Sequence, residues 1–371
     1  MTFETENISK NEDGISNGYR KDAQKGQAKI FSAKEFVDDL LENGKKIACD
    51  NSIEEFNSDG IPKFYDADKF KRGQDFFQKH IFALFFCKFM GLIVTLSSPR
   101  ILAVLIMTKM SGSMMTAYRR YVATVFHVNL WYECELTPDS KSMKSLKKVK
   151  QFHNSASLKS RGLERPPITQ EDMALTQFGF IGFCIARAEF MGIHGATREE
   201  LEGFLHFWKV IGAILGIQER FNLCRDSLEE TEEICEELLS RAFRPFVAKK
   251  DKDFLEMTKY LTDGMWHIDP QLNFRVFLTF LFDVMKPKES LKDGQIAKSD
   301  QYFKLTFIEM LYYRFVCCIT YLLRFDIVRL YYNLQHNISI WIVHRFPFLA
   351  VYAFGYRNAM VSIEDDHVKA N

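Results

Sequence analysis

The sequence predicts a mainly α-helical protein, on three observations. Only 19 glycines and 9 prolines occur in 371 residues, too few for the closely spaced turns of a β-sandwich or barrel. Phenylalanine occurs 35 times and 47% of the chain is apolar, enough to furnish a large core. Long segments repeat their apolar residues every three or four positions, and two of them follow a hydroxyl residue with an acid three places on. The net charge of +1, from 49 basic and 48 acidic side chains, supplies no global field for nucleic acid, so no such partner is expected.

Residues 1–60 are polar and poor in periodicity. They read as an extension with one helix near "SAKEFVDDLLENG", and the ordered body is expected to begin near Phe64. The most apolar segment, "FFQKHIFALFFCKFMGLIVTLSS", is interrupted by Lys88 and closed by Pro99 and Arg100. It falls short of the roughly 20 uninterrupted apolar residues that span a bilayer and reads as a buried helix. "AYRRYVATVFHVNLWYE" (117–133) reads as another. At about 100° per residue its Arg120, Thr124 and His127 share one stripe, with Trp131 a turn further on. Tyr121, Val125, Val128 and Tyr132 form an apolar face beside it. So apolar a helix is buried, and its polar stripe must meet solvent, buried partners or a ligand with a charged edge.

In "SLKKVKQFHNSAS", Leu146, Val149 and Phe152 give an apolar helical face with His153 beside it. On residue physics alone such a histidine is a hydrogen-bonded core residue. "TQED" and "TREE" open two further helices at Thr169 and Thr197, and "DSLEETEEICEELLSRAF" reads as a charged surface helix with an apolar seam. A helical core over residues 61–285 is followed by a linker at 286–302 and by aromatic helices with a polar tail at 303–371. Arginines at intervals among those aromatics suit peripheral contact with a membrane surface.

Several chemistries lack their motifs. There is no G-x-G-x-x-G, Walker lysine loop or G-x-S-x-G elbow. Glu364 and His367 form the one Glu-x-x-His, where a di-iron bundle needs two. None of the eight cysteines has C-x-x-C spacing, and Cys87, Cys184 and Cys317 sit in apolar runs, as reduced thiols do. With no apolar leader in the first 30 residues, an intracellular, cytosol-facing chain is expected. Glu202 and His206 share a helix face and read as a packed polar pair. Gln177 fits either a pocket wall or, with Gly179 and Gly182, a close helix crossing.

Four blocks in order, "AYRRYVAT", "SLKKVKQFHNSAS", "ITQEDMALTQFGFIGF" and "HFWKVIGAILGIQERFNLC", resemble the family of the rubber oxygenases (latex clearing proteins) and the fungal ER-bound oxygenases of mycophenolic acid synthesis. The similarity covers roughly residues 64–285 and is strongest to animal members, insects included. The resemblance implies a multi-helix bundle holding haem b through a histidine. An arginine and a threonine four residues apart then lie on the haem side of a neighbouring helix. These fall on His153 as iron ligand and on Arg120 and Thr124 as haem-side residues. It further implies dioxygen as co-substrate, a hydrophobic isoprenoid or lipid-like substrate, oxidative cleavage of a C=C bond and association with the endoplasmic reticulum membrane. Phe126, Trp131, Phe152, Phe178 and Phe180 would pack on the porphyrin.

Two departures qualify the implied activity. Some rubber oxygenases carry a lysine just before the threonine that can occupy the second axial position, and Ala123 stands there. The carboxylate proposed as their catalytic base has no match in "PRILAVLIMTKMSGSMM". His127, one turn past Ala123, becomes the candidate distal catalytic group. A catalytically silent haem- or lipid-binding protein at a membrane surface is the rival reading.

Overall fold

A computed structural model describes residues 31–50, 55–288 and 302–363. Its elements are helical. Among the described residues the β-structure amounts to two isolated bridges, Ala48 with Thr169 and Phe56 with Pro62. Residues 1–30 of the extension, most of the expected linker, and Glu364 and His367 lie outside the described residues.

Helix α1 (Ala33–Glu42) is capped by the Ser32 hydroxyl and buries Val37 and Leu40. Asp38 and Asp39 pair with Arg241 and Arg220. The ordered body therefore begins at α1, ahead of Phe64. The helix itself is expected near this sequence; its docking on the core through Ala33, Val37 and Leu40 is not, because the surrounding stretch is polar.

The apolar run that follows breaks at His80 into α2 (Ala67–Lys79) and α3 (Ile81–Leu96), bent 95° apart. As expected, α3 is buried on nearly every side. No single helix among the described residues is long and apolar enough to cross a membrane.

Two crossings at backbone distance assemble the core. Helix α3 meets α7 (Gln170–Ala186) at Gly91 and Gly179, where a Cβ built on Gly91 would stand 1.8 Å from the Gly179 carbonyl oxygen. Helix α2 meets α8 (Arg198–Leu215) at Gly73 and Gly203, where a Cβ on Gly73 would stand 2.6 Å from the Gly203 carbonyl. Both α7 and α8 open with the expected capping boxes, Thr169 with Asp172 and Thr197 with Glu200.

Helices α4 (Pro99–Thr108), α5 (Met114–Glu133) and α6 (Lys141–Gly162) come between α3 and α7 in the chain. Tyr132 of α5 stacks between Phe77 of α2, at 3.9 Å between centroids, and Phe207 of α8, at 4.2 Å. That three-ring column fixes α5 to the core. Helix α9 (Leu228–Leu238) continues through a π-turn into α10 (Arg244–Ala248), burying Ile234, Cys235 and Leu238 beneath a charged outer face. Then follow α11 (Lys252–Met265), which meets α5 where Gly264 abuts the Tyr118 backbone, and α12 (Phe274–Val284).

The aromatic C-terminal segment forms α13 (Phe307–Leu322), α14 (Asp326–Arg345), α15 (Phe348–Phe354) and the short α16 (Tyr356–Ala359). It is anchored by Tyr313 on Asp283, at 2.7 Å, and by Asn333, which bonds the Phe82 N–H and the Lys79 carbonyl. Its outer face stays in solvent, with Ile327 79% and Tyr352 95% exposed.

The Gly91 crossing predicts that Gly91→Ala overpacks the core and lowers stability by roughly 1–3 kcal/mol or more. Gly112→Ala, where a Cβ meets open space, should stay within about 0.5 kcal/mol of the parent. Chemical unfolding of both variants checks the contrast, and equal stabilities would remove the crossing as a determinant.

Candidate functional site

Helices α5 and α6 lie side by side. A capping box of Ser113 and Thr116 starts α5, and the Ser140 hydroxyl caps α6 through the Met143 N–H. Near the end of α5, His127 Nδ1 lies 2.7 Å from Ser145 Oγ of α6, and Trp131 Nε1 donates to the same oxygen at 2.8 Å. Toward the other end, the charge of Arg120 on α5 acts on the imidazole of His153 on α6. The polar stripe of α5 therefore faces α6, and its two ends meet Ser145 and His153.

The members of the stripe differ in how they are satisfied. Thr124 spends its hydroxyl proton on the Arg120 carbonyl, at 3.1 Å within the same helix. Ser145 Oγ has one proton and two lone pairs, so beside Trp131 it serves either neutral tautomer of His127, as donor to Nδ1 or as acceptor from it. Burial, with the charge of Lys148, holds the His127 pKa down to about 4, which agrees with a neutral ring.

His153 is different. Its side chain is half-buried, yet Nδ1 is fully enclosed with no hydrogen-bond partner. Burial, and then the Arg120 charge, lower its pKa to about 4, so the ring is neutral and its lone pair free near neutral pH. The Arg120 guanidinium has no ion pair or hydrogen bond among the described residues. Burial lowers its pKa too, but a guanidinium stays protonated, and a half-buried cation without a counter-ion gains from acquiring one. An orphaned imidazole nitrogen facing an unpaired guanidinium suits one ligand that carries both a Lewis-acidic centre and a carboxylate.

Of the residues singled out in the sequence, Arg120, Thr124, His127 and His153 thus come together on two facing helices. The aromatic lining does not assemble as expected. Phe152 is 53% exposed, Phe178 packs on Phe243 at 4.6 Å, and Phe180 stacks on Trp208 at 4.6 Å. The buried face of α6 is Ser142, Met143, Ser145, Leu146, Ser157 and Ser160 rather than the Leu146, Val149 and Phe152 face. Small hydroxyl residues let α6 lie close to its neighbours, and that rotation turns Phe152 outward.

Gln177 is spent on buried hydrogen bonds between packed elements. Its amide donates to the Trp208 carbonyl and Asn222 and accepts from the Leu223 N–H. Glu202 pairs with Arg198, while His206 Nε2 accepts from the Asp66 N–H, so those two residues do not pair with each other.

Two components of the site left no sign in the sequence. Ser145 is one of many serines in α6. The other is the segment 344–363, which runs along both helices of the site. Tyr118 donates to the Ala359 carbonyl at 2.9 Å, Arg119 to the carbonyls of Arg357 and Asn358, and Lys148 to the Ile363 carbonyl. The Phe126 ring lies edge-on to His344 at 5.1 Å. Backbone carbonyls accept irrespective of side chain, so such contacts leave no motif.

The depressed histidines set a pH dependence. In His80, His127, His153 and His206 burial lowers the pKa from 6.5 to about 4, and in His336 to about 3. Between those values the unfolded chain binds more protons than the folded one. Stability is then whole above pH 6.5 and falls as the pH drops toward 4. His153→Leu should flatten that slope by at most one proton, about 1.4 kcal/mol per pH unit. Urea titrations at a series of pH values read it, and an unchanged slope would place His153 in contact with water.

Among comparisons with known proteins, a family model described as the ER-bound oxygenase mpaB/B'/rubber oxygenase catalytic domain matches residues 77–281. No curated protein and no solved structure matches the chain. The matched stretch opens in α2, closes in α12 and contains both helices of the site, more than half of the whole chain. With that coverage, the chain belongs to the ER-bound oxygenase mpaB/B'/rubber oxygenase catalytic-domain family.

Proposed function

We propose that the protein is a haem b-dependent oxygenase acting on a hydrophobic, isoprenoid or lipid-like substrate, with dioxygen as co-substrate and cleavage of a C=C bond as the reaction. The observation that carries this reading is the unpartnered His153 Nδ1 facing an Arg120 guanidinium without a counter-ion, in a chain of an oxygenase family. Among the described residues no three His, Cys, Asp or Glu side chains cluster as metal ligands. A lone histidine suits a metal that brings its other ligands with it, as porphyrin iron does.

His153, neutral at physiological pH, is the residue that would bind the iron. Arg120 would pair with a propionate through its planar fork and so acquire its missing counter-ion. Thr124 keeps its oxygen lone pairs toward the same space, its proton being held by the helix backbone. Bound haem would supply the dioxygen chemistry that no side chain of the site provides. His127, its Nδ1 held by Ser145, would be fixed as a hydrogen-bonding group toward the reacting molecules. Ala123, one turn before His127, carries no ligating atom. Segment 344–363 along α5 and α6 would limit access of water.

The outer face of α13 to α15 supports peripheral contact with a membrane, by kinship that of the endoplasmic reticulum on its cytosolic side. Leu330, Trp341 and Tyr352 stand exposed there, beside Arg314, Arg324 and Arg345. The acids of this stretch, Glu309 and Asp326, are already paired with Arg275 and Arg329. Such a surface suits lipid interfaces with anionic headgroups.

Purified protein supplemented with haem should show a Soret band that His153→Ala largely abolishes and Arg120→Lys weakens, with helicity by circular dichroism retained in both. A colourless wild type would overturn the reading. Oxygen uptake with an alkene substrate should fall in His127→Leu far more than haem content does. A haem-loaded wild type that turns over no alkene would be the silent binder instead.

For the membrane surface, carbonate should extract the protein from membranes. Trp341→Ser with Tyr352→Ser should reduce flotation with anionic vesicles several-fold, and resistance to carbonate would contradict peripheral contact.

A further inference from the structure

Away from α5 and α6, a shallow open cleft with about 40 Å³ of free interior lies between α3, α12, α13 and the turn at residues 268–272. Rings of Phe82, Phe85, Phe86, Phe277 and Tyr312 line it, and Asp269 is the one carboxylate in its wall. We infer that this cleft binds an organic ammonium ion, with its carbon substituents among the rings and its charge against Asp269. The inference is independent of the α5–α6 site.

Three observations carry it. Asp269 has no basic partner among the described residues. Its carboxylate accepts the Gln271 N–H at 3.0 Å, and no cation acts on it, so burial alone pushes its pKa up. Arg275, on the neighbouring helix α12, is occupied by Glu309 and the Lys304 carbonyl. The Tyr312 hydroxyl, though within the field of Asp269, donates to the Gln271 carbonyl instead. A half-buried carboxylate in an aromatic wall, with one N–H donor and no cation beside it, is a partly compensated charge that a cation entering the cleft would complete.

The second observation is the aromatic frame. Phe277 sits edge-on to Phe86 at 5.8 Å and to Phe89 at 5.7 Å, so the rings turn their planes in different directions. Ring faces attract ammonium groups, and the attraction grows where water is excluded. The third is selectivity. The rings alone would accept any short apolar chain, whereas the carboxylate favours a cation and repels an anion.

The same chemistry is available from a free alkylamine or from the choline headgroup of a lipid reaching the cleft along the apolar outer face of α13. Titration calorimetry on the full chain with hexyltrimethylammonium and with hexanol tests the inference. The ammonium should bind at least tenfold more tightly than the alcohol. Asp269→Asn, which keeps an acceptor for the Gln271 N–H, should weaken it at least tenfold while leaving hexanol within twofold. Phe82→Leu should weaken the ammonium more than the alcohol. Dihexanoylphosphatidylcholine below its micellar concentration distinguishes the sources. Binding of it that is sensitive to Asp269→Asn assigns a lipid headgroup, and binding of the free ammonium alone assigns an amine. Equal affinity for ammonium and alcohol, or indifference to Asp269→Asn, would overturn the inference and leave an unselective apolar cleft. Haem content should be unchanged in Asp269→Asn, which separates this result from that of the oxygenase site.

Discussion

Backbone contact at two glycine crossings is the constraint on which the rest of the structure depends. Gly91 on Gly179 and Gly73 on Gly203 bring α2 and α3 against α7 and α8 more closely than any side chain would allow. The crossings set the spacing at which Phe77 and Phe207 can clasp Tyr132 from both sides. Tyr132 lies on the same helix as Arg120, Thr124 and His127, so the polar stripe inherits its orientation from the aromatic column. Ser145 then ties the far end of that stripe to α6 through two hydrogen bonds. The site has one end locked by a satisfied network and another where charge and lone pair await a partner.

That asymmetry has a physical meaning. A buried polar group without a partner is a standing cost, and folded proteins retain it mainly where a ligand removes it. His127 and Trp131 share a serine and are satisfied. His153 Nδ1 is enclosed without a partner, and the half-buried Arg120 guanidinium beside it has no counter-ion. Their mutual effect adds to the cost, since the guanidinium charge helps keep the imidazole neutral. Asp269, among the phenylalanines of the other cleft, has one N–H donor and no basic partner among the described residues.

Much of this was legible in the sequence, and what was not has identifiable causes. The capping boxes at Thr169 and Thr197 are local, because cap and acid are three residues apart, and both helices start where the pattern places them. The stripe on α5 followed from helical geometry alone, and the four family blocks carried the identity of the fold. Phe152 misled because hydrophobicity favoured an apolar face on α6, while close packing selected the serine face. The break at His80 was hidden inside one continuous apolar run. Helix α1 reads as a helix, but its docking on the core through Ala33, Val37 and Leu40 has no mark in a polar stretch. The contacts of segment 344–363 end on backbone carbonyls, which no side-chain pattern records. That segment lies beyond the family match, so part of the site's surroundings belongs to this chain rather than to the shared domain.

The central claim is that the facing pair of Arg120 and His153 forms a cofactor site on α5 and α6. Crystallography of the chain reconstituted with haem tests it most directly. The account predicts iron ligated by the His153 imidazole and a propionate within hydrogen-bond distance of the Arg120 guanidinium. Haem held by another histidine, or lodged away from α5 and α6 with both groups still unpartnered, would contradict it.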